Sequence, residues 1–299
     1  MSCSKRQPPR GEGSSDSTPK APNPDFWSLL KGPRRIPLVM GIVNVTPDSF
    51  YEVSRFSARQ AADEALRLFD EGADLIDIGG QSTRPGSDAV SLEEELSRVV
   101  PVFEALSGRA AGPLSVDTDK APVARQCLAA GAAVLNDVSA LRNDPAMAET
   151  AKAAQALILM HHGPSYSPKT MQRSPRYDDV VREAKAFLAG QRDAFARAGG
   201  EAERVLFDPG IGFAKDLAHN LSLLKHAQEF AELGPVVLGV SRKSFLGRIS
   251  PDAGPSERLE GSLAVACWAA LRGVSVLRVH DVRATRKALA ALGAVLEAA

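Results

Sequence analysis

The sequence predicts an α/β protein, a single (β/α)8 TIM barrel, from three observations. Short apolar runs of strand length alternate with longer amphipathic segments of helical period about eight times along the chain. Each apolar run turns polar at its C-terminal end, as expected where parallel strands point at one site. No second compositional region interrupts the alternation, so one domain, 25–299, follows an N-terminal arm, 1–24. A doubly wound open sheet is the alternative fold, but no glycine-rich phosphate turn follows the first strand.

The N-terminal arm is rich in serine, proline, glycine and charge and has no apolar period. We therefore expect residues 1–24 to be disordered or loosely attached. Phe26, Trp27, Leu29 and Leu30 come next, and two placements are open for them. They could close the bottom of the barrel, or they could form a terminal helical turn on its surface.

The strands are predicted from apolar runs rich in β-branched residues. The first of them is nearly all apolar, which is typical of a strand buried on both faces. The eight predicted strands are 38–43, 74–78, 113–116, 133–135, 157–160, 204–207, 236–240 and 274–279.

Cap residues predict where the helices between these strands begin and end. Ser57 with Gln60 forms one predicted capping box, and Ser91 with Glu94 begins the next helix. Gly72 supplies the left-handed residue that ends the first of these helices. Further start signals are Asp144 with Pro145, and Asp216.

Composition excludes several classes of function. Lysine plus arginine and aspartate plus glutamate both number 36, so no net charge attracts nucleic acid or an anionic membrane. The 3 cysteines are widely spaced and include no CxxC pair, which indicates a reducing compartment. No apolar run is long enough to span a bilayer, and the N-terminus has no secretion signal. We therefore expect a soluble cytoplasmic protein with no nucleic-acid or membrane partner.

Polar side chains follow the strands and should converge on one mouth of the barrel. They are Asn44, Thr83 with Arg84, Asp117, Asn136, His161, Asp208, Lys243, and Arg278 with His280. Two carboxylates and one amide (Asp117, Asn136 and Asp208) directly follow apolar strand residues, so they need hydrogen-bond donors facing them. A flat 2-amino-4-oxo heterocycle supplies such donors, and Lys243 would donate to its carbonyl oxygen. The alternative is that these groups only cap helices or pair with one another.

Asn44, Arg278 and His280 form a second predicted group. An oxygen ligand suits Mg²⁺, which keeps most of its waters and bridges phosphates through few protein contacts. Arginine with a protonated histidine would neutralise a diphosphate. Arg278 could instead form a salt bridge with Asp281. Two residues remain for another anion such as a carboxylate: Arg84 and Ser244.

Two other chemistries are disfavoured by the pattern. His161 and His162 are adjacent, so they point in different directions from a strand end, and no third imidazole or thiolate has suitable spacing for a transition metal. Lys243 could form a Schiff base, with its pKa lowered by the neighbouring Arg242. The run Ser-Arg-Lys-Ser that contains it is more typical of anion and carbonyl recognition.

Eight motifs, in order from about residue 38 to the end, resemble those of the dihydropteroate synthases: NVTPDSF, DIGG-x-STRPG, SVDT, LNDVSA, LMHH, DPGIGF, SRKSFLG and RVHDV. The resemblance implies a homodimeric (β/α)8 barrel with Mg²⁺. It implies an enzyme, a sulfonamide target, that joins 6-hydroxymethyl-7,8-dihydropterin diphosphate to 4-aminobenzoate. The products would be 7,8-dihydropteroate and diphosphate.

The resemblance also implies a role for each residue that matches a family motif. Catalysis would fall to Asp117, Lys243 and Arg278. Pterin binding would fall to Asp117, Asn136, Met160, Asp208, Phe213 and Lys243. Diphosphate binding would fall to Asn44, Thr83, Arg278 and His280, with Asn44 also binding the metal. Binding of 4-aminobenzoate would fall to Thr83, Arg84, Pro85, Phe213, Lys243 and Ser244.

The chain departs from the family pattern at a few positions. Residues 51–54 read Tyr-Glu-Val-Ser where relatives usually carry Ser-Asp-Gly-Gly, which predicts a stiffer loop. Gln81 replaces a usual Glu, His162 a usual Met, and Ala214 a usual Gly. Two alternative functions stay open: a pterin-dependent methyltransferase domain, and a catalytically silent pterin-binding paralogue.

Overall fold

The structure is a computed structural model that describes residues 25–45, 55–81, 90–163, 176–250, 254 and 257–298. Eight parallel strands alternate with helices and pair in the order β6-β5-β4-β3-β2-β1-β8-β7. A parallel bridge between Phe207 and Val236 joins β6 to β7, so the sheet curls into a barrel. The predicted fold is confirmed, while the arm 1–24 lies outside the described residues.

The strands are β1 (Leu38–Asn44), β2 (Leu75–Gly79), β3 (Leu114–Asp117), β4 (Val134–Asp137), β5 (Ala156–Met160), β6 (Val205–Asp208), β7 (Val237–Gly239) and β8 (Val276–Val279). All eight strand predictions are confirmed. Several strands end later than predicted because their polar tips still pair in the sheet. Asn44, for example, lies opposite Gly79, and Asp117 lies opposite Asn136.

The helices are α1 (Phe26–Lys31), α2 (Arg55–Asp70), α3 (Leu92–Leu106), α4 (Ala121–Ala129), α5 (Met147–Ala151), α6 (Val180–Arg197), α7 (Leu217–Lys225), α8 (Ser244–Ile249), α9 (Leu259–Leu271) and α10 (Val282–Glu297). The short helix α8 was not predicted, because six residues are too few to show a helical period. In the described ranges, no helix has both the length and the apolar composition to cross a bilayer.

The cap predictions are partly confirmed. Ser91 accepts a hydrogen bond from the Glu94 backbone N–H at 3.2 Å, and Asp216 forms a capping box with His219. The capping box at Ser57 is wrong, because α2 begins at Arg55 and places Ser57 inside the helix. The start signal at Asp144 with Pro145 is wrong, because α5 begins at Met147 with Ala146 as its N-cap. Asp144 Oδ2 instead accepts from the Ala121 N–H at 2.8 Å and so caps α4.

Helix α1 closes the bottom of the barrel, as in the first of the two predicted placements. Phe26 is fully buried and packs with inward side chains of the strands, such as Leu75 and Val237. Gln155 fixes the helix from below β5, since its Oε1 accepts from the Phe26 N–H at 3.0 Å and its carbonyl oxygen accepts from the Trp27 indole at 2.7 Å. Among the described residues, α1 thus fills the bottom of the barrel, and a ligand is expected at the C-terminal end of the strands.

A second and larger core lies between the strands and the surrounding helices. It contains the strand residues that alternate with the inward ones, such as Val39, Ile76 and Val116, together with the inner faces of the helices. The two cores hold the strands from both sides, so the side chains at the strand ends are carried on rigid elements.

Candidate active site

The predicted site residues on the strands do meet at the C-terminal mouth of the barrel. Register pairs link them around the ring, with Asp117 opposite Asn136 and Met160 opposite Asp208. The residues that the structure places on the strand ends are Asn44, Asp117, Asn136, Met160, Asp208 and Arg278. Those in direct hydrogen-bonded contact with one another are fewer, and they centre on Arg278.

Arg278 lies between two carboxylates. Its Nε donates to Asp77 Oδ2 at 2.6 Å, and its Nη2 donates to Asp117 Oδ2 at 2.7 Å. The same Asp77 oxygen accepts from Asn136 Nδ2 at 3.0 Å. The alternative pairing of Arg278 with Asp281 is wrong, because Asp281 is held by Arg242 through bonds of 2.8 and 2.6 Å.

Sequence reasoning missed Asp77. The signal was present, because a carboxylate in the middle of the apolar run 74–78 must find a partner when the strand is buried. Asp77 is fully buried, and its Oδ1 has no hydrogen-bond partner among the described residues.

Burial raises the pKa of Asp117 to about 8, even though Arg278 lies beside it. The cause is that desolvation outweighs the attraction of a guanidinium which Asp77 shares. Burial also raises the pKa of Asp208, against the opposing attraction of Lys243. A ligand that donates hydrogen bonds to these two carboxylates would favour their ionised forms.

Lys243 follows β7 and reaches across the mouth. Its Nζ donates to the Ile211 carbonyl oxygen at 2.6 Å and lies 4.1 Å from the centre of the Phe213 ring. Burial lowers the pKa of Lys243 to about 8, with Asp208 opposing the shift and Arg278 adding to it. The guanidinium of Arg242, which the sequence suggested as the cause, turns instead to Asp281.

The loop after β6 carries Phe213 and is held by a buried lysine that sequence reasoning did not single out. Lys215 Nζ donates to the carbonyl oxygens of His161 at 3.0 Å and Phe213 at 2.9 Å. Burial lowers the pKa of Lys215 to about 7, partly offset by Asp208. Phe213 packs with Met160 in a small apolar cluster, which gives the mouth a flat apolar wall beside its carboxylates.

The two histidines after β5 contact aromatic rings. His161 lies 5.1 Å from the Phe187 ring, and His162 lies 4.8 Å from the Phe213 ring. Burial lowers the pKa of His161 to about 2 and that of His162 to about 3, so both rings are neutral. Among the described residues, no three histidine, cysteine or acidic side chains are grouped as a metal site.

The residues predicted to bind the diphosphate lie on or next to two neighbouring strands, β1 and β8. Asn44 ends β1, and β1 pairs directly with β8, which carries Arg278. His280 follows β8, and its backbone N–H donates to Ser241 Oγ at 3.2 Å. Ser241 therefore positions this histidine, a contact that the sequence did not indicate.

Of the remaining predicted site residues, the structure describes Ser244. Ser244 is exposed at the first position of α8, next to Lys243. Thr83, Arg84 and Pro85 lie outside the described residues, as does the altered stretch 51–54.

Ala214 stands in the left-handed region, with φ of 45°. This conformation is disfavoured for any residue with a Cβ, whereas glycine adopts it freely. The Ala214 side chain is buried in the same small apolar cluster as Phe213.

Comparison with known proteins gives one consistent result. The family model described as "Pterin binding enzyme" matches residues 40–280. Dihydropteroate synthase of Escherichia coli strain K12 is 44% identical over 264 residues, which are 88% of this chain and 93% of the relative. The Bacillus subtilis enzyme of the same name is 41% identical over 249 residues, 82% of this chain and 84% of the relative.

Solved structures agree with the sequence relatives. Xanthomonas albilineans dihydropteroate synthase with 4-aminobenzoic acid has a TM-score of 0.81 and 46% identity, over 88% of this chain and 94% of that one. The same enzyme in complex with 7,8-dihydropteroate has a TM-score of 0.78 and 44% identity, over 88% and 95%. With this identity, coverage and fold, the chain belongs to the dihydropteroate synthases, within the pterin binding enzymes.

Proposed function

We propose that the mouth of this barrel joins 6-hydroxymethyl-7,8-dihydropterin diphosphate to 4-aminobenzoate, the dihydropteroate synthase reaction. The observation that carries the proposal is a cluster of hydrogen-bond acceptors beside a guanidinium, formed by Asp117, Asn136, Asp208 and Arg278. The product-bound relative supports it, because that barrel matches this one over most of both chains.

The pterin ring would bind against the acceptors and the apolar wall. Its ring N–H and amino groups would donate to Asp117, Asn136 and Asp208, while Lys243 donates to its carbonyl oxygen. Met160 and Phe213 would pack against the flat ring. A buried acceptor left without a donor is costly, so this arrangement selects a ring rich in donors.

The diphosphate would lie over β1 and β8, beside Asn44, Arg278 and His280. The acceptor chemistry there fits Mg²⁺: a single amide oxygen is enough for an ion that keeps its waters and takes its other ligands from phosphates. When bound, the ion would neutralise charge that develops on the leaving diphosphate. Thr83 would also contact the diphosphate.

The 4-aminobenzoate would bind between Lys243 and the loop after β2. The residues proposed to contact it are Thr83, Arg84, Pro85, Phe213, Lys243 and Ser244. The relative solved with 4-aminobenzoic acid supports a site for this compound in the same fold.

The proposed mechanism is a dissociative substitution at the methylene carbon of the pterin. The carbon–oxygen bond breaks, and its electron pair leaves with the diphosphate, whose charge Arg278 stabilises. The electron-rich dihydropterin stabilises the resulting cation, and Asp117 and Asp208 add negative potential. The amine lone pair then forms the new carbon–nitrogen bond, and the amine loses a proton to water. No covalent enzyme intermediate forms, so a trapped adduct on Lys243 would contradict this mechanism.

The proposal also includes a homodimer that works in the cytoplasm. Helix α9 is apolar on nearly all sides, which is unusual for a helix on the surface of a monomer. Its outward face carries Trp268, 39% exposed, and Leu271, 54% exposed, which favours burial against a second copy. Cys127 and Cys267 are free thiols, which favours a reducing compartment.

The experiment that tests the function measures diphosphate release from the purified protein with pterin diphosphate and Mg²⁺, with and without 4-aminobenzoate. We expect release that depends on 4-aminobenzoate and yields 7,8-dihydropteroate. Arg278→Ala should lower the rate at least about a hundredfold, because the proposed diphosphate site loses its charged donor. Arg286→Ala is the matched control, because Arg286 pairs with Asp74 at the opposite end of the barrel. Pterin binding with no diphosphate release would favour the silent paralogue.

A further inference from the structure

Asp77 is a buried carboxylate at the mouth to which the proposed function gives no role. We propose that Asp77 is a positioning residue: it fixes the amide of Asn136 with its oxygen facing the ligand, and it holds Arg278 while Asp117 binds the pterin. The inference rests on the pterin assignments above. It adds to them a residue that determines which rings the site accepts.

The first step concerns the Asn136 amide. Its Nδ2 donates to Asp77 Oδ2 at 3.0 Å. The same Asp77 oxygen also accepts from Arg278 Nε, so it faces Asn136 as an acceptor; the nitrogen of the amide must face Asp77 and the oxygen must face away. Asn136 Oδ1 is buried and has no hydrogen-bond partner in the described part of the chain. It therefore awaits a donor, which a ligand can supply.

In this orientation of the amide, the side chains that face the pterin ring all present hydrogen-bond acceptors. With the amide fixed, Asp117, Asn136 and Asp208 all present acceptors. A ring with an amino group at the 2-position supplies donors to match them. A ring with an oxygen at that position would bring acceptor against acceptor and leave buried groups unpaired, which is a strong basis for rejection.

The second step concerns Arg278, whose guanidinium is bonded to both carboxylates at once. Its Nε lies 2.6 Å from Asp77 Oδ2, and its Nη2 lies 2.7 Å from Asp117 Oδ2. When the ring donates to Asp117, the bond to Asp77 can keep the guanidinium in place. Without Asp77, Arg278 would pair with Asp117 alone and compete with the ring for that carboxylate.

The third step predicts a pH signature. The charged groups that act on Asp117 are Arg278, Asp77, Glu95, Asp119 and Lys243. Of these, Asp77 raises the pKa of Asp117. Asp77→Asn removes that negative charge, and the guanidinium of Arg278 then pairs with one carboxylate, Asp117, in place of two. Both changes lower the pKa of Asp117. The acid limb of pterin binding should then move to lower pH.

The test compares Asp77→Asn, which preserves the shape of the side chain, with the wild-type chain. We expect the KM for pterin diphosphate to rise about tenfold, the equivalent of one buried hydrogen bond, while the KM for 4-aminobenzoate changes less than about twofold. The preference for a 2-amino ring over a 2-oxo ring should fall, because the amide of Asn136 can now flip. Asp74→Asn is the matched control: it breaks a carboxylate–arginine pair just before the same strand, far from the mouth.

Several outcomes would overturn the inference. One is an Asp77→Asn enzyme with unchanged KM values, ring preference and pH profile. Another is a rise in both KM values together, as expected from general destabilisation. If Asp77→Asn does not fold, the same measurements are made on Asp77→Ser. Equal binding of 2-amino and 2-oxo rings by the wild-type protein would also overturn the inference, without any variant. If Asp117→Asn leaves pterin binding intact, the proposed pterin site itself fails.

Discussion

At the scale of single residues, burial moves the pKa values of two opposite charges in the site, Asp117 and Lys243, toward neutrality. Burial raises the pKa of Asp117 and lowers the pKa of Lys243, and each reaches about 8. The barrel holds these carboxylates and cations close together in a buried site. Their desolvation and their mutual charge interactions shift the pKa values.

This predicts a bell-shaped pH dependence for pterin binding. Below about pH 8, Asp117 gains a proton and loses one acceptor site; above it, Lys243 loses its proton and its charge. The affinity for pterin diphosphate, measured by titration calorimetry, should therefore be highest near pH 8 and fall on both sides. Lys243→Met should remove the alkaline limb and keep the acid limb. A flat profile between about pH 6 and about pH 10 would contradict the prediction.

A second residue-scale prediction concerns backbone strain. Ala214→Gly should raise the free energy of unfolding by about 0.5–1 kcal/mol, because φ of 45° costs an alanine more than the added flexibility of glycine costs the unfolded chain. Ala186→Gly, on the exposed side of α6, is the control and should lower it by about 1 kcal/mol. Urea unfolding measures both, and a loss of stability in Ala214→Gly would show that the strain is absent.

At the scale of elements, helix α1 has a structural role distinct from the site. It covers the bottom of the barrel with Phe26, and Gln155 ties it to the chain before β5 through two hydrogen bonds. The opposite end, where the strands turn polar, is left for chemistry. This division between a stability end and a functional end is general for barrels of this class.

Phe26→Ala should therefore separate stability from activity. We expect a loss of about 3–5 kcal/mol in the free energy of unfolding, because a fully buried ring is removed from the barrel bottom. The turnover number at low temperature should stay close to wild type. Phe26→Leu keeps most of the apolar volume and should lose less stability. Thermal unfolding measures the stability of both variants, and assays of diphosphate release measure their turnover. A Phe26→Ala enzyme with wild-type stability but slow turnover would contradict this separation of stability from activity.

At the scale of the whole molecule, the proposed homodimer rests on the exposed apolar side chains of α9, Trp268 and Leu271. The indole N–H of Trp268 donates to the Leu224 carbonyl oxygen at 3.0 Å, which fixes the orientation of this ring. Leu221 is also exposed, on α7, the helix that contains Leu224.

Leu271→Asp should convert the proposed homodimer to a monomer, because a charge at the centre of an apolar interface is costly to bury. Sedimentation velocity measures the change, with Ala186→Asp on α6 as a control that should remain dimeric. A wild-type protein that sediments as a monomer at micromolar concentration would contradict the homodimer.

The sequence by itself determined the strand order along the chain and most of the polar residues at the mouth. Apolar runs, caps and the polar ends of strands are local signals, and the barrel carries Asp117, Asn136 and Asp208 where those signals placed them. It also determined the family, through eight ordered motifs.

Only the tertiary structure decided which of these groups touch. Arg278 and Asp77 are 201 positions apart, and their contact depends on how the strands stagger when the barrel closes. The fold also buries Lys215, which donates to two backbone carbonyl groups, and it pairs Asp281 with Arg242. Hydrogen-bond partners and pKa shifts follow from distance and burial, which no local pattern encodes, and so the charge distribution of the site appears only in the folded chain.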